Sequence, residues 1–175
     1  MKKTIFLLFI IFIIYMFIGN MFAEAEVIIP NDAIRVRVIP NSNSNYDIDI
    51  KNKVKDEIEE NLENIMENAN TIDEARTIIK DNIDDIDEKV FNLLKKEKYE
   101  KNYRINYGLN YFPQKEYKDV IYNEGYYESL VVTLGDGLGD NWWCVLFPPL
   151  CLLEAEESEE VSYKSYVKEM IDKYF

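Results

Sequence analysis

The spacing of apolar residues changes twice along this chain, and each change fixes what the backbone there can do. Ile34-Arg35-Val36-Arg37-Val38 alternates strictly, putting Ile34, Val36 and Val38 on one face of a strand and both arginines on its polar face. Pro40-Asn41-Ser42-Asn43-Ser44-Asn45 is dense in turn formers and stops that strand. From about Asp47 the period is helical, with Ile50, Val54, Ile58, Leu62, Ile65 and Met66 on one stripe. Thr71-Ile72-Asp73-Glu74 has the form of a capping box, whose side chains satisfy free amides at a helix start.

The next stripe runs through Ile72, Ala75, Ile78, Ile79, Ile83, Ile86, Val90, Leu93 and Leu94, long enough for two helices with a break between Asn82 and Asp85. Alternation returns from Arg104 to Tyr111, closed by Pro113, and a second strand runs from about Tyr127 to Leu134 after a turn at Glu124-Gly125. Trp143 to Phe147 is a candidate third strand of this group, and a last amphipathic helix carries Tyr163, Val167, Met170, Ile171 and Tyr174. Strand, helices, then strands predicts an α+β fold, with two to three helices packed on a mainly antiparallel sheet. There is no internal repeat.

Composition removes several kinds of chemistry. The chain has no histidine and two cysteines, so neither a Ser-His-Asp arrangement nor a His- or four-thiolate zinc site can be built. No phosphate-binding loop of the Gly-x-x-x-x-Gly-Lys-Ser/Thr kind occurs. A net charge of −13 disfavours nucleic acid as a partner. Abundant carboxylates could do acid/base work, but nearly all fall on helix-period surfaces where solvation accounts for them. No cofactor, metal or catalytic residue is expected.

Ahead of the folded part stand Met1-Lys2-Lys3 and an apolar run from Ile5 to Ile18. As a helix that run spans about 21 Å, short of the roughly 30 Å hydrocarbon core of a bilayer. Ala23-Glu24-Ala25 supplies the small-x-small pattern that signal peptidase reads, so the expectation is a signal peptide cleaved near Ala25, with an uncleaved membrane anchor as the alternative. Lysines before the run and an acidic chain after it favour export. The chain then divides into an export segment (1–25) that engages the membrane, a linker (26–33), a domain (34–151), and an acidic linker with a C-terminal helix (152–175).

Both tryptophans and both cysteines fall within Asn141-Trp142-Trp143-Cys144-Val145-Leu146-Phe147-Pro148-Pro149-Leu150-Cys151, directly after the Gly-rich loop Gly135-Asp136-Gly137-Leu138-Gly139-Asp140. Together with Ile34-Arg35-Val36-Arg37-Val38-Ile39-Pro40-Asn41-Ser42-Asn43-Ser44, this stretch resembles the stage II sporulation protein R family of endospore-forming bacteria, over about Ile34 to Cys151. The resemblance implies a protein made in the forespore and exported across its membrane into the space between forespore and mother cell. There it would trigger a membrane-embedded aspartic protease that processes the precursor of the mother-cell sigma factor, sigma-E. The chain would be a secreted signal and not an enzyme. A membrane-anchored envelope structural protein, and an exported carboxylate hydrolase, are the rival readings.

The candidates for partner contact are Arg35, Arg37, Asn41, Ser42, Trp142, Trp143, Phe147, Pro148 and Pro149. Adjacent tryptophans on a strand point to opposite faces, so one can anchor the core while the other meets a partner. The arginines either pair with nearby carboxylates or recognise an acidic receptor loop. Cys144 and Cys151 are candidates for a disulfide in an exported protein, the alternative being two buried free thiols. Two aspartates in the Gly-rich loop would repel phosphate, which makes it a connection between strands.

Overall fold

The computed structural model describes residues 27–67, 69–117, 120–150 and 163–175; the expected export segment and the acidic run before the last helix lie outside them. The described elements are β1 (Val27–Ile28), β2 (Ile34–Ile39), α1 (Asn45–Met66), α2 (Ile72–Asp81), α3 (Ile83–Lys96), β3 (Tyr103–Phe112), β4 (Lys115–Tyr117), β5 (Val120–Tyr122), β6 (Gly125–Leu134), β7 (Trp142–Phe147) and α4 (Tyr163–Tyr174). The fold is α+β, as the periodicity predicts.

Local chemistry sets the helix boundaries. Ser44 Oγ accepts the Asp47 amide at 3.1 Å and starts α1. Thr71 Oγ1 accepts the Glu74 amide at 3.2 Å, while Glu74 reaches back one residue further than the usual box, to the Asn70 amide at 2.8 Å. Asn82 turns its side chain onto the Ile78 carbonyl at 2.8 Å and separates α2 from α3, where the sequence places the break.

The main sheet has the order β3-β6-β2-β7. Its two outer pairings are antiparallel, but the central pair, β2 with β6, is parallel. The helical layer imposes this. It begins where β2 ends and comes back to the same end, where Lys101, just before β3, reaches Asp47 in the first turn of α1. β3 must therefore run against β2, and its hairpin partner β6, slotted between them, runs with β2. One sheet face, with Ile34, Val36, Val38, Leu130 and Val132, packs on α1, α2 and α3 to make the larger core.

The other face carries a second, smaller layer that the sequence does not announce. β1, β5 and β4 form a three-stranded sheet, and its Val120 and Tyr122 pack with Val145, Val167 and Met170. Strands of two or three residues are too short to show alternation. This layer corrects the expectation of a solvent-facing polar side for β2, because Arg35 beneath it is 0% exposed.

Candidate docking surface

The two sequence words that carry the resemblance face each other at one end of the main sheet. β2 leads into the Asn41-Ser42 turn, and β6 leads into the Gly-rich loop beside it. Backbone bonds join them: Leu138 N donates to Asn41 O, and Gly139 N to Pro40 O, both at 3.1 Å. Side chains add to this, since Asn41 Oδ1 accepts the Asp136 amide at 3.1 Å and Asn43 Oδ1 the Asp140 amide at 2.6 Å. Gly135 has φ +54°, and a Cβ there would collide with the Asn41 side-chain amide. The glycines of this loop serve its close approach to the turn, which agrees with reading it as a strand connection.

Beneath the turn lies Asp47, 3% exposed. It accepts from Ser42 Oγ at 2.5 Å, Asn41 Nδ2 at 2.9 Å and Lys101 Nζ at 3.2 Å. Burial alone would raise its pKa; the hydrogen bonds from Ser42, Asn41 and Lys101, with the Lys101 charge, outweigh burial and hold it at about 2. Asn41 and Ser42 therefore spend their polar groups inside the junction and do not offer them outward.

Trp142 and Trp143 point to opposite faces, as adjacency on a strand requires. Trp142, half-buried on the helical side, has Lys55 Nζ 5.6 Å from its ring; Trp143, also half-buried, meets Tyr122 and Phe112 edge-on at 4.9 and 5.9 Å. The register of β7 against β2 shifts between Ile34 and Arg35, and past this shift Phe147 joins Leu146 in the larger core. Phe147 and Pro148 are thus buried and do not form an outward contact; Pro149 is half-buried and accepts from Tyr166 Oη at 3.5 Å. Cys144 is half-buried and has no disulfide partner among the described residues; Cys151 lies outside them, and so does the pairing expected of the two.

Arg35 sits in a box of rings. Its Cζ lies 3.4 Å from the Tyr127 centroid, 5.1 Å from Phe112, 5.3 Å from Trp143 and 5.9 Å from Tyr122. Among the described residues none of its three side-chain nitrogens has a hydrogen-bond acceptor, nor does Arg37 Nε, and neither arginine forms an ion pair with a described carboxylate. Burial lowers the Arg35 pKa to about 10, partly offset by Tyr127 and Tyr122, and the group stays charged at neutral pH. The rings attract the cation, yet a guanidinium without acceptors has lost most of its hydration. Arg35→Met, which keeps the volume and the ring contacts, should therefore raise stability by about 1–2 kcal/mol in urea unfolding. A loss of similar size would mean that the rings outweigh desolvation.

Two solvent-facing apolar residues at this end went unmarked in the sequence. Leu138, at the tip of the Gly-rich loop, is 79% exposed, and Tyr46, at the start of α1, is 50% exposed. A leucine flanked by two glycines in a turn was the available signal, because such a side chain has no core to enter. Tyr46 offered none, since it sits in a helix start of ordinary composition.

A family model described as stage II sporulation protein R matches residues 30–157. Stage II sporulation protein R of Bacillus subtilis (strain 168) is 36% identical over 135 residues, which cover 77% of this chain and 60% of that protein's length. No solved structure matches.

Proposed function

The chain belongs to the stage II sporulation protein R family, and from that premise we propose that it is a secreted sporulation signal. It crosses the forespore membrane and, by direct contact, triggers a membrane-embedded aspartic protease that processes the precursor of sigma-E. The observation that carries this reading is the junction: the Asn41-Ser42 turn and the Gly-rich loop are tied into one rigid end of the sheet. The loop holds Leu138 out in water at the tip, with Tyr46 exposed in the adjoining first turn of α1. An exposed apolar tip on a fixed scaffold suits capture by a partner's pocket better than any step of chemistry. With no histidine in the sequence, the chain lacks the side chain most often used for general-base work at neutral pH.

The test is co-expression of the protease and its sigma precursor in a non-sporulating host, with this chain supplied either whole or lacking residues 2–25. Processing with the exported form alone is the expected result. Processing that ignores export, or none when both partners are made, would overturn the reading and favour an envelope structural role. In the same assay Leu138→Glu should cut processing about tenfold with Tm unchanged, since an anchor residue typically carries more than 1 kcal/mol of binding.

A further inference from the structure

The second face of the main sheet has a charge pattern unlike the rest of the molecule. Cross-strand register puts Arg35 beside Ser129, Arg37 beside Val131 and Arg104 beside Thr133, all on that face. No strand residue of the main sheet on this face is Asp or Glu, although the chain has 33 acidic residues against 20 basic ones. Elsewhere an arginine within reach of carboxylates takes them, as Arg76 takes Glu128 and Asp73. Here Arg35 is fully buried with all three nitrogens lacking an acceptor among the described residues, and the Arg37 Nε lacks one too.

Among the described residues the smaller layer covers the face around Arg35 and leaves the side toward β3 open. Arg104 and Asn106 are exposed, Arg37 is half-buried, and a Cβ added at Gly108 would touch nothing within 4 Å. Gly137 of the junction loop abuts Thr133 and Ile39 at the rim, so this face runs into the surface that presents Leu138.

We propose that this arginine face receives an acidic segment of the partner protein, a proposal that rests on the reading of the chain as a contact signal. Arg37 and Arg104 pair with its carboxylates at the open side, where the planar guanidinium fork matches carboxylate geometry. Arg35, fixed behind them by its rings, is a positioning charge that keeps the local potential positive inside an acidic molecule. A protein segment fits better than an anionic membrane. A broad negative surface would meet the −13 charge of the whole chain, whereas one segment meets the arginines alone.

Hexaglutamate is the probe. Protein recovered after export, with its arginines labelled, is titrated at physiological ionic strength while the side-chain Nε–Hε signals are followed. Shifts of the Arg37 and Arg104 signals are expected, while the Arg35 and Arg76 signals of the R37M/R104M variant should stay unmoved by the peptide. No shift, or a shift only with phosphatidylglycerol vesicles, overturns the proposal. In the co-expression assay Arg37→Glu with Arg104→Glu should lower processing about tenfold at unchanged Tm, and Arg37→Lys should retain most of it. Normal processing by the Glu pair also overturns the proposal. Hexaglutamate shifts in a protein that fails to trigger processing would sink the protease reading and leave acid recognition standing.

Discussion

Gly139→Ala should destabilise the protein by about 3 kcal/mol and lower Tm by roughly 10 °C. A Cβ at this position would lie 2.5 Å from the Ser42 carbonyl oxygen, 2.6 Å from its carbon and 2.7 Å from Pro40 Cγ. Backbone and a proline ring cannot swing aside as a flexible side chain would. The loop must lift off the turn, and the bonds from Leu138 N and Gly139 N to Asn41 and Pro40 lengthen together. Gly108→Ala is the internal control: inside β3, with open space around the new methyl, it should be neutral or stabilising by up to about 1 kcal/mol. Equal effects at the two sites, measured by thermal unfolding, would refute close packing of loop on turn.

Loss of the Asp47 carboxylate is the second large effect. Asp47→Ala strips Ser42, Asn41 and Lys101 of their shared acceptor, with an expected cost of about 3 kcal/mol. The same group sets an acid response. Its folded pKa of about 2 lies below its unfolded value of 3.8, so its contribution is fully present above about pH 4. It is lost as pH falls through the folded value, and amounts to about 2 kcal/mol. Urea midpoints followed from pH 6 to pH 2 should therefore drop more steeply in the wild type than in Asp47→Asn. Parallel curves would show that this carboxylate is not held by its neighbours.

The helices were legible because their signals are local. Apolar stripes, the Ser44 and Thr71 caps and the break at Asn82 depend on residues within a turn or two of one another. The long strand β3 likewise declares itself by alternation, and β6 by a run of β-forming residues between turn signals. β1, β4 and β5 do not, and with them went the layer over Arg35. Of the contact candidates, the tryptophans split between faces as adjacency demands. Asn41 and Ser42 turn inward onto Asp47, whose carboxylate competes with water for their hydrogen bonds, and Phe147 turns into the core past a register shift.

By itself the sequence determined which of the longer segments are helix or strand, where most of them stop, and to which family the chain belongs. All of these are written in short-range spacing or in an unbroken run of residues. Tertiary structure alone decided that β2 and β6 run parallel, that the two family words clasp one another, and that Arg35 lies buried among four rings with no acceptor among the described residues. Alternation states that a side chain is on the face opposite Ile34 and Val36; it does not state what covers that face. The cover comes from segments dozens of residues away, so burial, and with it the meaning of a charge, becomes readable only once the layers are stacked.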